Sequence, residues 1–324
     1  MNWARTLSKY PEGNFLQSPE WERTNQIIGT KTIVESFEKE GHALMIVRDA
    51  KRGRYLEIPC GPLIDWHDIK MLYDVFDSIR RIAKENHCVF VRIRPQLLRT
   101  PENMDILKRL RLRKSPMHLA AEHTVILDLE KTEDELLANM RRQTRYEVRR
   151  AAKLGIVVEK SCAEETFREF HEVQMQTAHR QHFIPPSLET LLAEHEAFGE
   201  DAIIYTAKTN KGEPIAYGLV INDGPEAAYY EAASTELNRN LPGAYALIWR
   251  AMRDLKAKGI KRFNLWGIAP PNQPNHRYAG VTTFKTGFGG DIVEYVPAHD
   301  LVIHRFRYLK NLIVETIRKK KRHL

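Results

Sequence analysis

Apolar residues recur in two rhythms along the chain. Between 69 and 84, Leu72, Val75, Phe76, Ile79 and Ile82 repeat at three- and four-residue steps, which line one face of a helix, so a core helix is expected there. Short β-type runs at 43–47, 89–93 and 124–129 alternate with it. Gly61-Pro62 and Arg94-Pro95 follow or end such runs and read as breaks, because proline disfavours helical geometry in the residue before it. In the second half, Thr132 is placed to cap a helix that opens with Glu133, Asp134 and Glu135 near its positive end, and this helix is expected to run to Lys153 and stop at Gly155. A strand at 156–159, helices at 164–178 and 188–195, and strands at 202–207, 215–221 and 227–233 follow, with a Lys211-Gly212 turn joining the first two of these strands. A helix at 247–258 ended by Gly259, strands at 262–266 and 292–296 and a long helix at 301–321 complete the series. Two successive α/β units of similar size, without a short-period repeat, point to a duplicated fold.

A length of 324 residues agrees with two domains. With 28% charged and 43% hydrophobic residues the chain is expected to fold nearly throughout, which excludes disordered and fibrous classes. No apolar run approaches the roughly 20 residues that span a bilayer, and residues 1–10 lack the apolar core of a signal peptide, so a soluble cytoplasmic protein is expected. Cys60, Cys88 and Cys162 are far apart, with no second cysteine at ligand spacing, which argues against a disulfide framework or a zinc site. His179 and His182 have no obvious third ligand and read as surface histidines. Walker, Rossmann, G-x-S-x-G and H-E-x-x-H motifs are absent; neither a metal nor a cofactor is expected.

Fifty basic against 42 acidic residues leave a formal charge of +8, which favours a polyanionic partner. Arg141, Arg145, Arg149 and Lys153 recur at four-residue intervals, with Arg142 and Arg150 alongside and Leu137, Met140, Val148 and Ala151 as the buried side. Such a stripe is either a solvated charged face or a polyanion surface; Glu147 is the one counter-charge within it, and that density of positive charge favours the second. The basic run at 318–322 suits RNA, an anionic membrane surface or a solubilising end. Residues 239–244 (R-N-L-P-G-A) are similar to the pyrophosphate loop of acetyltransferases at a helix N-terminus, but Pro242 stands where that loop carries its first glycine, which counts against coenzyme A. Within 278–295, Lys285 lies between Phe284 and Phe288 ahead of three glycines. That arrangement either presents a cation in a partly dry pocket, with backbone free to approach a substrate, or is an ordinary snorkelling surface lysine.

The chain resembles the Fem aminoacyltransferases, the FemA/FemX (FemAB) family that builds peptidoglycan interpeptide branches. The resemblance rests on F-L-Q-S-P-E-W at 15–21, Gly61-Pro62, V-R-I-R-P at 91–95, R-Y-E-V-R-R-A-A-K-L-G-I at 145–156, F-N-L-W-G-I at 263–268, F-K-T-G-F-G-G at 284–290 and V-E-Y-V at 293–296. It implies an α/β (α+β) fold of two tandem acetyltransferase-like (GNAT) domains, mixed sheets flanked by helices, in the compact FemX-like form without a coiled-coil arm. The first domain would comprise 1–130 with a returning helix in 298–324, and the second 131–297.

The reaction implied is transfer of an amino acid from aminoacyl-tRNA to an amine on the stem peptide of UDP-muramyl-peptide or lipid II. No cofactor is needed, because the ester is already activated; DNA is not a partner, and peripheral contact with the membrane inner face is compatible. Phe284 and Lys285 match the family's catalytic Phe-Lys pair, and Tyr229 falls on a tyrosine near the precursor. Arg94 stands for an aspartate, Glu231 for a second tyrosine, and Arg23 lies where a phosphate-binding lysine is found; Arg180 is set against a neighbouring basic position. These five implied acceptor-binding residues stand beside the stripe Arg141, Arg145, Arg149 and Lys153 as the tRNA face. Competing readings are an acyl-CoA N-acyltransferase on the same duplicated fold and a non-catalytic RNA-binding module.

Overall fold

The computed structural model describes the chain apart from residues 1–2, 4–6, 8, 11–12, 182, 223–225, 272, 274–275 and 323–324; His182 therefore lies outside the described residues. The helices are α1 (Pro19–Ile27), α2 (Ile69–Glu85), α3 (Pro101–Arg109), α4 (Glu133–Asn139), α5 (Arg142–Lys153), α6 (Glu164–Gln181), α7 (Leu188–Phe198), α8 (Gly243–Ala257), α9 (Ala279–Thr286) and α10 (Arg305–Arg322). Among the described residues none is long and apolar enough to cross a membrane. The chain divides into two compact units: Met1–His123, Ala269–Arg277 and Val293–Leu324 form one, and Thr124–Ile268 with Tyr278–Ile292 the other. Relative to the expected boundaries, 124–130 fall in the second unit and 269–277 and 293–297 in the first.

The first unit holds a sheet in the order β1 (Thr32–Ser36), β2 (His42–Ala50), β3 (Gly53–Pro59), β4 (Phe90–Arg94), β13 (His299–Val302), β5 (Arg113–Lys114). Strands β3 and β4 are parallel, joined through α2, and the other pairs are antiparallel. Asp68 accepts from the Met71 N–H and starts α2, whose Leu72, Val75, Phe76, Ile79 and Ile82 are all buried in a core with Met45, Leu56, Ile58, Val91 and Ile93. The expected terminal helix at 301–321 begins later. Leu301 and Val302 instead complete β13, paired with Val91 and Phe90, because a sheet position was open beside β4. Arg92 then fastens α10 to this sheet: it pairs with Asp300 at 2.8 Å and Glu315 at 2.7 Å, all three sheltered from solvent, and Tyr308 donates to Asp300 at 3.0 Å.

The second sheet runs in the order β12 (Asp291–Glu294), β6 (His123–Asp128), β11 (Arg262–Gly267), β10 (Ala227–Ser234), β9 (Pro214–Asn222), β8 (Ala202–Lys208), β7 (Val157–Ser161). One face packs on α5 and α8 through Val148, Leu247, Ile248, Ala251 and Met252, with Val125, Val220 and Phe263 beneath. The expected single helix at 133–153 is two. Thr132 and Glu135 form a capping box, but Met140 and Arg141 are extended (ψ 142 and 144), and the Arg141 N–H leaves the helix to donate to Gly287 O at 2.9 Å. β10 and β11 are parallel and paired at Ala227/Phe263 and Ala228/Asn264; among the described residues their pairing stops there. Past that point each strand shifts register against its other neighbour, β10 against β9 between Tyr229 and Glu231 and β11 against β6 between Asn264 and Gly267.

Candidate active site of the second unit

Helix α9 carries Phe284 and Lys285, and the glycines after it decide where it sits. A side chain on Gly287 would collide with Thr144 and Arg141, on Gly289 with Asn139 O and on Gly290 with Ile126 O; Gly289 and Gly290 also have φ of +84. The sequence suggested that these glycines admit a substrate; in the structure they let the backbone press onto α4, α5 and β6.

Lys285 is 9% exposed. Its Nζ donates to Gly267 O at 3.0 Å and lies 6.0 Å from the centre of the Tyr229 ring, and no carboxylate among the described residues pairs with it. Desolvation penalises the charged form, so burial brings its pKa down to about 7. The expected aromatic neighbours sit elsewhere: Phe284 meets Tyr245 and Phe288 edge-on at 5.0 and 5.3 Å, and this trio wedges the helix in place while Tyr229 faces the amine. Tyr229 is itself buried, which pushes its phenol well above the usual range. Its ring crosses β9 over Gly218, where any side chain would strike it.

The carbonyl that receives Lys285 is aimed by a polar network that sequence reasoning missed. Asn264 Oδ1 accepts from the Trp266 N–H at 2.8 Å and from the Thr124 hydroxyl, which also reaches Trp266 O at 3.0 Å; Asn264 Nδ2 donates to Glu226 at 2.9 Å. The network holds Trp266 at φ +63, a strained geometry for a bulky residue, and so turns Gly267 O toward α9. The available signal was an asparagine inside an otherwise apolar strand, F-N-L-W-G.

The bulge in β10 separates two expected site residues. Tyr229 pairs with Val220 and Glu231 with Leu219, which places them on opposite faces of the sheet. Glu231 looks toward α6 and α7, where Gln174 donates to it at 2.5 Å and the buried Glu194 lies close by. Burial raises both carboxyls, and the proximity of Glu231 raises Glu194 further. Arg180 is turned inward on that side too, donating to Ser234 O and pairing with Glu236 at 3.1 Å. The neighbouring His179 is exposed.

Two expected residues belong to the first unit. Arg94 is fully buried, donating to Gln96 at 2.9 Å and Cys60 Sγ at 2.8 Å beneath the Tyr295 ring, and its Nε has no partner among the described residues. Arg23 is exposed on α1.

The basic stripe divides. Arg141 donates to Thr283 O at 2.8 Å and Arg145 to Leu137 O and Ala138 O at 3.1 Å, so both cap carbonyls at helix ends. Arg150 pairs with Glu147 at 3.0 Å. Arg142, Arg149 and Lys153 are exposed, with no ion pair among the described residues. Through Arg141, this basic helix is bonded to the helix of Lys285. The turn before α8 is closed as well: Ala244 N–H donates to Asn238 Oδ1 at 3.1 Å, which uses one of the free donors there.

A family model described as the FemAB family matches residues 3–108, 114–214 and 204–315. Aminoacyltransferase FemA of Staphylococcus epidermidis is 32% identical over 104 residues, 31% of this chain and 25% of that protein. Lipid II:glycine glycyltransferase of Staphylococcus aureus is 25% identical over 228 residues, 65% of this chain and 54% of that protein. The chain thus matches about half or less of the length of these relatives. The crystal structure of FemX superposes with a TM-score of 0.85 at 18% identity, covering 97% of each chain. A tandem GNAT protein from the clavulanic acid biosynthesis pathway gives 0.52 at 12% identity, covering 81% of this chain and 77% of that one. At such identities the likeness speaks to fold: mixed α/β, with two tandem acetyltransferase-like units. Since the family model matches the chain in segments from residue 3 to residue 315, this chain belongs to the FemAB family.

Proposed function

We propose that the protein transfers an aminoacyl group from aminoacyl-tRNA to an amine on the stem peptide of a peptidoglycan precursor, on the cytoplasmic side of the membrane. The observation that carries this reading is Lys285, a buried amine with no counter-ion among the described residues, held between Gly267 O on β11 and the Tyr229 ring on β10. The acceptor nitrogen attacks the ester carbonyl and a tetrahedral oxyanion forms. As that oxyanion collapses to the amide carbonyl the bond to the ribose oxygen breaks, that oxygen takes up the proton that the attacking nitrogen gave up, and free tRNA leaves. With its pKa brought to about 7 by burial, Lys285 is readily protonated once negative charge appears beside it, taking the proton of the attacking nitrogen on its way to the ribose oxygen, so it stabilises the transition state more than the ground state. Tyr229 supplies the dry wall that makes this interaction strong. Arg142, Arg149 and Lys153 are the cations available to the RNA backbone on the helix bonded to α9. Of the expected acceptor contacts of the second unit, Tyr229 is kept because it lies beside Lys285, whereas Glu231 and Arg180 belong to the other face of that unit's sheet.

The test is mass spectrometry of UDP-muramyl-pentapeptide and of lipid II after incubation with charged total tRNA. A mass gain of one or more amino acids supports the reading and names donor and acceptor together. No gain with either acceptor, with coenzyme A rather than tRNA copurifying, would turn the assignment to acyl-CoA chemistry.

A further inference from the structure

Helix α10 has two unlike faces. Its inner face attaches it: Tyr308 packs on Phe90 at 5.5 Å, buried Asn311 accepts from Arg52 at 2.8 Å, and Glu315 holds Arg92. Its outer face carries Phe306, Leu309, Ile313 and Ile317, which are 92, 51, 52 and 49% exposed. Steps of three and four residues set these four one above another along the helix. Single exposed apolar residues are normal on a protein surface, but a continuous stripe of four large ones on one helix is a contact face. The charge around the stripe is of one sign. Arg305, Arg307, Lys310 and Arg318 are exposed, and no described residue forms an ion pair with them. Glu315 is the one acid in the sequence of the helix, and it is turned inward against Arg92.

An RNA would satisfy the cations and leave Phe306 and its neighbours in water, and a second copy would bring like-charged flanks together. A bilayer surface with anionic headgroups accepts both halves of the face at once. We propose that α10 is an interfacial membrane helix, its apolar stripe seated at the boundary of headgroups and acyl chains and Arg305, Arg307, Lys310 and Arg318 against lipid phosphates. The proposal does not rest on the transfer reading, because it needs neither donor nor acceptor.

The full chain is mixed with vesicles of phosphatidylglycerol and phosphatidylethanolamine, or of phosphatidylcholine alone, and floated through a density gradient. It is expected to rise with the anionic vesicles only. Phe306→Ser with Ile313→Ser should weaken partitioning by roughly tenfold per side chain, and Lys310→Gln with Arg318→Gln by about fivefold per charge. All four positions are exposed, so the variants are expected to fold, which circular dichroism checks. Wild-type protein that binds total RNA but not anionic vesicles would overturn the proposal. So would undiminished flotation of the serine variant, or a dimer in sedimentation equilibrium that the serine variant dissolves.

Discussion

Replacing Lys285 with methionine keeps most of the side-chain volume and removes an amine whose pKa burial has brought from 10.5 to about 7. At ~1.4 kcal/mol per pH unit, that gap is about 5 kcal/mol of folding free energy. The sign follows from the protons bound. Below pH 7 the amine is charged in both states and the folded protein bears the full cost of burying it. Between pH 7 and 10.5 folding releases a proton, so stability rises with pH; above 10.5 the cost is gone. Methionine bears no such cost, but it leaves the Gly267 carbonyl without its donor at 3.0 Å, a loss of about 1–3 kcal/mol. The Lys285→Met protein should therefore be more stable than wild type by about 2–4 kcal/mol near pH 6, an advantage that disappears near pH 10. Its kcat in the transfer assay should fall by about 10²- to 10³-fold, the loss expected for one oxyanion partner. Urea unfolding at both pH values measures the first effect, and steady-state kinetics with saturating acceptor the second. Stability curves that run parallel with pH would refute the buried-amine argument, and a normal rate would remove Lys285 from the chemistry.

The carboxyl pair Glu194 and Glu231, both held above the usual range by burial, keeps a proton in the folded state that the unfolded chain has lost, so it costs stability as pH rises from about 4.5 toward neutrality. Glu194→Gln should flatten that decline, read as a smaller drop in melting temperature between pH 5 and pH 8. Arg92→Ala leaves Asp300 on β13 and Glu315 on α10 without their cation and should cost about 3–5 kcal/mol in urea unfolding, with early loss of protection in α10 by hydrogen exchange. Arg149→Glu with Lys153→Glu should leave the fold intact, weaken tRNA binding and lower its salt slope by roughly 0.7–0.9 per lost phosphate contact. An unchanged slope would move the RNA site elsewhere.

Local order was legible because it is periodic. The face of α2 from Leu72 to Ile82, the cap at Thr132 and the turn at Lys211-Gly212 follow from spacing and from residues that satisfy backbone groups close in sequence. The mixed α/β rhythm was readable for the same reason; Lys285 stood out in the sequence for its aromatic and glycine neighbours, but those neighbours pack elsewhere and its burial comes from the fold. What depended on distant partners was not readable. Whether 133–153 is one helix or two turns on Gly287 O, a carbonyl that arrives from far along the chain, and whether 301–302 are helix or strand turns on the open position beside β4. The stripe at 141–153 is a row of charges, but Arg141 and Arg145 have carbonyls of other segments within reach, whereas among the described residues Arg149 and Lys153 bond to none. A bulge of one residue put Tyr229 and Glu231 on opposite faces, a distinction that no count along β10 contains, since register is decided by the neighbouring strand. The depressed pKa of Lys285 belongs to the tertiary structure entirely: it comes from the water excluded around the amine by Tyr229, Gly267 and the packed elements that bring them together.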